Sequence, residues 1–392
     1  MKRAAALILA VCILLGLCAC AETKSETVLT AWVLSDDYGK TLGWCAKKAG
    51  YEVNTVTVEQ FDADFDDDSP DIIMLTSDML STFLSSSVLS PAGINKDGFY
   101  DYTIDLASKN GKLYALPWHA SPGLFVYRRS LAKAYFGTDE SEEMARILSS
   151  WDNFSSASVL LSTVSNEKTS IVSGIEDIIR PYFSSQFNFT KEDCVSGSDL
   201  GQFFDYVNLS SSDFCASPVQ QWSEAWFAGM QDSQAVFGYF LSEVALTDVL
   251  NEACGGSNGD WAVIAPFAPY FWGGAWLAVP ARSAHREEAQ AILNALSSDD
   301  MLQKACLYGG FFTANDNVNR AVSQDGQFSL ALLSGQDYFS ALSECARNIK
   351  IKRGTGENSS EVMAAIAESA LQCATGECSP SDALNTLSEK IS

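Results

Sequence analysis

Between residues 28 and 86 the chain changes its apolar period every few residues, and this limits the fold more than any other feature. Residues 28–34 form an apolar run rich in β-branched side chains. Residues 38–49 read as a helix that stops at Gly50, 51–58 alternate Val and Thr, and 71–75 read as a third strand opened by Pro70. Thr76, Ser77 and Asp78 then offer caps for a helix running through Met79 to residue 85. Strand, helix, strand, helix at this pace predicts a parallel α/β sheet. Residues 113–118 and 124–128 read as two further strands, separated by HASPG, whose Pro122 and Gly123 break the chain direction.

From 131 to 230 the pattern is mostly helical, in the pieces 131–136, 142–149, 151–164, 174–184, 200–209 and 221–230. Beyond it, 235–240, 261–265 and 276–279 read as strands, and 243–253, 284–295, 299–307, 361–374 and 381–390 as helices. A helix-dense stretch between two strand-rich regions predicts two α/β lobes, each visited more than once by the chain. The length of 392 residues suits two domains of roughly 100–200 residues. With 47% apolar and 19% charged residues the chain can bury sizeable cores.

Charge excludes whole classes of partner. Acidic residues outnumber basic ones 49 to 25, for a net charge of −24. Nucleic-acid binding needs a basic footprint, which is lacking. Contact of the folded body with an anionic membrane is disfavoured, whereas a neutral or cationic ligand meets no repulsion. His119 and His285 are the only histidines, which removes a His-rich metal site and leaves two bases for a Ser–His relay. No phosphate-binding GxxxxGK[ST] motif is present. The run 255–259, GGSNG, matches GxSxG, but a helix precedes it and a strand follows, the reverse of a nucleophile elbow. Asp62, Asp64, Asp66, Asp67 and Asp68 start like a calcium loop, yet Asp67 stands where Gly is needed and Ile73 where Glu is needed. They read as a solvated loop. The 49 acids do not exclude a glycosidase pair, but no spacing singles one out. No cofactor, metal or catalytic residue is expected.

The N-terminus reads as an address. Lys2 and Arg3 precede an apolar run over 4–19, too short to span a bilayer, which needs ~20 residues. Leu17-Cys18-Ala19-Cys20 resembles the lipobox of bacterial lipoproteins, which implies cleavage of 1–19, lipid on Cys20 and a tether over 20–27. A plain signal peptide or an uncleaved anchor is the alternative. Of eleven cysteines, Cys12 and Cys18 leave with the signal and Cys20 takes the lipid. Cys45, Cys194, Cys215, Cys254, Cys306, Cys345, Cys373 and Cys378 remain, an even set that permits disulfides without fixing their connectivity. Cys373 and Cys378 are the closest local pair; buried free thiols are the alternative.

The aromatics point to a ligand class. Trp118 with His119, Tyr182, Trp222 with Trp226, Tyr239, and Trp272 with Trp276 fall largely at predicted strand ends or in loops. The C–H face of a sugar stacks on such a ring while its hydroxyls bond nearby. Trp222 and Trp226, four apart, are expected on one helix face. Gly273 and Gly274 would let a ligand approach backbone N–H groups. Core packing is the alternative for each ring taken singly.

Three stretches then resemble one family, the extracellular solute-binding proteins of bacterial ABC transporters that include the maltose-binding protein. They are GKLYALPWHASPGLFVYRRSLAKAYFG, DSQAVFGYFLSEVALTDVL and DWAVIAPFAPYFWGGAWLAVPARSAHREEAQAILNALSSDDM. The resemblance implies a two-lobed, periplasmic-binding-protein-like (type II) α/β fold with a hinge and an interlobe cleft. Lobe one would be 27–120 with 273–317, and lobe two 124–266 with 320–392. Cleft positions would be Asp36, Asp37, Thr76, Ser77, Trp118, His119, Ser121, Trp222, Trp226, Tyr239, Trp272, Gly273, Gly274 and Trp276. The implied function is binding without chemistry: a monomer, anchored outside the cytoplasm through Cys20, holds a neutral carbohydrate and passes it to the transmembrane permease. Alanine at Trp118 or Trp272 is then expected to abolish binding and spare the fold. An exported glycosidase, a surface interaction protein that keeps the fold as a scaffold, and a binding protein for a non-sugar solute remain as alternatives.

Overall fold

The computed structural model describes residues 28–58, 61–64, 70–183, 190–214, 219–231, 235–254, 259–326, 328–351 and 360–391. The N-terminal segment with Cys20, residues 66–68 of the acidic run, residues 255–258 of the GGSNG run, and Cys215 lie outside them.

The strands are β1 (Leu29–Val33), β2 (Val53–Thr57), β3 (Ile72–Thr76), the short pair β4 (Ser108–Lys109) and β5 (Lys112–Leu113), β6 (Ala115–Arg128), β7 (Gly238–Ser242), β8 (Trp261–Ile264) and β9 (Phe271–Ala278). β1 pairs in parallel with both β2 and β3, as the strand–helix alternation predicts. The rest of the sheet is not parallel. β9 runs antiparallel to β3 and to β6, because it enters from the far end of the sheet.

β6 is one strand of 14 residues where the sequence predicts two. Pro117 and Pro122 interrupt its register rather than end it, with shifts between Pro117 and His119 and between Ala120 and Pro122. A proline has no N–H to give, and irregular positions are where a strand tolerates that loss. The first part of β6 pairs with β9; its second part, from Gly123 on, lies between β7 and β8. β6 therefore carries the chain from one half of the molecule into the other. A third passage runs beside it: Ala120 N–H donates to the Phe312 carbonyl at 3.1 Å, and Ala314 N–H to the Trp118 carbonyl at 3.4 Å. Gly123 sits where the halves meet because a Cβ there would lie 2.0 Å from the Tyr270 ring. The Tyr270 hydroxyl donates to the carbonyls of Leu124 and Leu241, tying the return loop to β6 and β7.

Two apolar cores cover the sheet. One takes β1, β3 and β9 together with one face of β7 and β8, through Tyr239, Leu241, Trp261 and Val263. The second takes the other face, through Phe240, Ala262 and Ile264, and the helices packed on it. Period-2 alternation along β7 and β8 thus divides their side chains between two cores.

Helix termini follow their caps. Ser35 caps the helix Asp36–Lys48, whose first turn carries Asp36 and Asp37 and whose last carries Lys47 and Lys48, the order the helix dipole favours. Thr76 caps the helix Ser77–Ser86. The helices Asp101–Leu106, Asp316–Gln324 and Tyr338–Asn348 have no counterpart in the sequence reading. The segment after β7, read as one helix, opens as a π turn over Ala245–Leu250. Among the described residues no helix is long and apolar enough to cross a membrane.

Candidate functional site

Carboxyl ends of strands from both halves converge on the middle of β6. Thr76, the end of β3, lies opposite Ala275, which in turn lies opposite His119. Ser242, the end of β7, lies opposite Gly123. In open α/β sheets this is where ligands are held.

Next to this convergence lies a cavity of about 410 Å³ whose lining includes Glu176, Arg180, Gln221, Trp222, Trp272 and Glu368. Trp222 has 52% of its surface exposed and a φ of 67°, a left-handed conformation that costs a bulky residue on the order of 1–3 kcal/mol. Two carboxylates hold it there. Glu176 accepts from the Gln221 N–H at 2.9 Å. Asp177 accepts from the Gln221 amide at 2.8 Å and from the Trp226 indole N–H at 3.1 Å, and with its other oxygen from the N–H groups of Ser173 and Gly174. Burial pushes Asp177 up to about 6, and these four donors oppose the shift. The segment carrying Trp222 is thereby fixed from below, and its ring rests on Trp226 with centroids 5.0 Å apart.

Trp272 forms another part of the lining. The Arg180 guanidinium lies 4.7 Å from the centre of its ring. Desolvation lowers the Arg180 pKa, and the Asp78 carboxylate, on the helix that follows β3, acts the other way. The indole N–H of Trp272 is sealed from solvent, with the Tyr270 hydroxyl beside it but outside good hydrogen-bond geometry. Gly273, at φ 147°, follows; a Cβ on it would meet only the Ser77 hydroxyl, at 4.0 Å. Trp272, Gly273 and Ser77 form a continuous line from the cavity to the end of β3.

A second polar cluster is closed. The Tyr38 hydroxyl meets His119 Nδ1 at 2.5 Å, His119 Nε2 meets Glu243 Oε2 at 3.2 Å, and Glu243 Oε1 accepts from the Phe312 N–H at 2.8 Å. One imidazole tautomer, with its proton on Nε2, satisfies both ring nitrogens. His119 and Glu243 are 4% and 2% exposed. Burial raises the pKa of Glu243 and, with the Glu243 charge adding to it, that of Tyr38. This knot joins the first helix, β6, the end of β7 and the third passage.

Several expected positions fall elsewhere. Trp118, Trp226, Trp276 and Tyr239 are sealed in the interior, within β6, a helix, β9 and β7. A ring with no free face cannot stack on a solute, so these four are packing residues. Trp276 donates its N–H to the Thr103 carbonyl at 3.0 Å. The helix expected from 221 begins at Glu224, so Trp222 precedes it and does not share a helix face with Trp226. The segment FWGG is strand, the start of β9, rather than loop. Gly274, at φ 127°, is filled from behind: a Cβ would lie 2.8 Å from the His119 carbonyl oxygen. His119 has both nitrogens committed and has none for a solute hydroxyl. Ser121 is buried. Asp36 accepts from the Thr57 hydroxyl and Asp37 pairs with Lys40, both at the surface and outside the cavity lining. Thr76 is committed to its cap. Tyr182 packs against Trp151 and Phe203. The cavity thus keeps Trp222 and Trp272, with Gly273 and Ser77 adjoining. Glu176, Arg180, Gln221 and Glu368 were missed, since their spacing carries no local signal. Glu243 could have been found as the residue after a strand end.

A sequence profile of the bacterial extracellular solute-binding proteins matches residues 45–329. Among curated protein sequences none matches significantly. Among solved structures, an extracellular solute-binding protein of family 1 aligns with a TM-score of 0.78 at 18% identity, over 93% of this chain and 99% of that one. The sugar-binding protein MalE of Xanthomonas citri aligns with a TM-score of 0.72 at 13% identity, over 93% and 96%. A binding protein associated with an ABC transporter of B. animalis subsp. lactis Bl-04, solved with β-1,6-galactobiose, aligns with a TM-score of 0.63 at 16% identity, over 93% and 97%. The fold is that of these two-lobed binding proteins, as the three sequence stretches imply. Profile and architecture agree: this chain belongs to the bacterial extracellular solute-binding proteins.

Proposed function

We propose that the chain is the lipid-anchored binding component of an ABC importer, and that it holds a neutral mono- or oligosaccharide between two hinged lobes, 27–120 with 273–317 and 124–266 with 320–392. It performs no chemistry and passes the solute unchanged to a membrane permease. Cys20 carries the lipid outside the cytoplasm.

The observation that carries this reading is the half-exposed Trp222 ring, held in a strained conformation in the lining that Trp272 shares. An indole face offers stacking to the C–H face of a sugar, and the amide and carboxylate groups of Gln220, Gln221, Glu176 and Glu368 offer partners for hydroxyls. The structural neighbours solved with β-1,6-galactobiose and with α-D-tagatose, the latter from Thermotoga lettingae, support the same class. Arg180 in the lining favours a second reading, in which the solute carries a carboxylate.

A thermal-shift screen tests the proposal with neutral sugars, acidic sugars and amino acids, read together with indole fluorescence. A bound neutral sugar stabilises the fold by about 2.7 kcal/mol at a hundredfold excess over Kd. Response to acidic solutes alone selects the second reading. Turnover of chromogenic glycosides would replace binding by catalysis.

A further inference from the structure

We propose that Cys373 and Cys378 form a disulfide in the exported protein, and that this bond fastens the helix forming one wall of the cavity.

The helix Ser360–Ala374 ends on ATGE, and Gly376 takes a φ of 75°, the left-handed conformation that ends helices. Its N–H donates to the Cys373 carbonyl, while the N–H groups of Glu377 and Cys378 both reach back to the Gln372 carbonyl. The chain is folded back over the last helical turn before any covalent bond is made. The Cys378 thiol then lies 3.3 Å from the Cys373 sulfur. Ser379 caps the next helix, Pro380–Lys390, in a reciprocal capping box with Asp382, which fixes the far side of the turn. A disulfide is about 2 Å long, so the sulfurs close by little more than about 1 Å, a movement within side-chain rotation. Of the seven cysteines described, these are the two whose sulfurs meet.

The compartment supplies the oxidant. A protein that works outside the cytoplasm meets disulfide-bearing thiol oxidoreductases and small-molecule disulfides. Cys378 is partly exposed and Cys373 is 1% exposed. The Cys378 thiolate attacks the external disulfide, forms a mixed disulfide and releases one thiol. The Cys373 sulfur then attacks Cys378 and expels the second thiol. The two protein thiols are oxidised, the external disulfide is reduced to two thiols, and both protons leave with them. Burial, reinforced by the neighbouring Cys378, pushes Cys373 up to about 12, so its deprotonation slows the second step.

The bond would reach the cavity through the helix it closes. Met363, Ala367, Glu368 and Leu371 line the cavity, and Leu371 lies two residues before Cys373. Fraying of the last helical turn would move this wall; the cross-link prevents it.

The test uses the full chain, reduced and then incubated with oxidised glutathione, with alkylation of remaining thiols and peptide mass mapping. The expected result is a 373–378 linkage, seen as a peptide lighter by two hydrogen atoms, with Tm higher by roughly 2–4 °C than in the reduced chain. In Cys378→Ser both the linkage and the reductant-sensitive shift vanish, and hydrogen exchange across 360–374 matches that of the reduced wild type. Both sulfurs alkylated after oxidation, or a stable glutathione adduct on Cys378, would overturn the proposal. The readout needs no solute and rests only on export, so its failure leaves the sugar reading untouched.

Discussion

The Trp222–Trp272 cavity and the Tyr38–His119–Glu243 knot are both built from aromatic rings and carboxylates, and they differ in what is left unmet. In the knot each nitrogen of His119 and each oxygen of Glu243 has a partner inside the protein. In the cavity an indole keeps half its surface in water, in a backbone conformation it would not choose, beside the exposed amide of Gln220. The family holds solutes, and unmet bonding capacity with a free ring face is what a solute can complete. The knot offers neither. It is the joint between the passages, and the cavity is where we propose that a guest is held.

The largest effect that could break this contrast comes from the sealed rings. Trp118→Ala and Trp276→Ala should each cost about 3–5 kcal/mol in denaturant unfolding, whereas Trp222→Ala should leave stability within about 1 kcal/mol. Equal losses would place Trp222 in the core. Next is the knot: Glu243→Ala strands the His119 and Phe312 N–H groups and should cost roughly 3 kcal/mol, with no specific loss of solute affinity. A variant that stays stable but binds weakly would move the site to the knot.

The pH dependence sharpens the account of what holds Trp222. Asp177 sits at about 6 in the fold against an ordinary 3.8, so the folded state favours the protonated acid. Its contribution to stability is complete below about pH 4 and is lost as pH rises through about 6, a change on the order of 3 kcal/mol. Asp177→Asn should remove that slope from the stability profile while other groups keep theirs. An unchanged slope would mean that Asp177 is solvated. The smallest effect is at the cap: Thr76→Ala should cost about 1 kcal/mol through the helix Ser77–Ser86 and leave the cavity intact. A larger loss of binding would show that this helix end touches the solute.

Period and punctuation made β1, β2, β3 and their helices legible, because each is local: Gly50, Pro70 and the Thr76 cap sit at the boundaries they mark. The unity of β6 was not, since Pro117 and Pro122 are breakers unless the partner strand shifts register to meet them, and that is a tertiary fact. Among the aromatics, sequence singled out Trp222 and Trp272, which line the cavity, together with Trp118, Trp226, Trp276 and Tyr239, which the fold seals. It could not separate Trp222 from Trp226, four positions apart and at 52% and 1% exposure, because Glu176 and Asp177, some 45 residues away, decide which ring faces out. The His119–Glu243 contact spans 124 positions and has no sequence signature at all.

Calorimetric titration of the wild type and of Trp222→Ala, with the sugar that gives the largest thermal shift, asks whether the Trp222 ring carries the bound solute. The expected result is one saturable site in the wild type, quenched or shifted indole emission on binding, and affinity 10- to 100-fold weaker in Trp222→Ala, about 1.4–2.7 kcal/mol, at unchanged stability. Wild-type affinity in Trp222→Ala, with the fold intact, would contradict it.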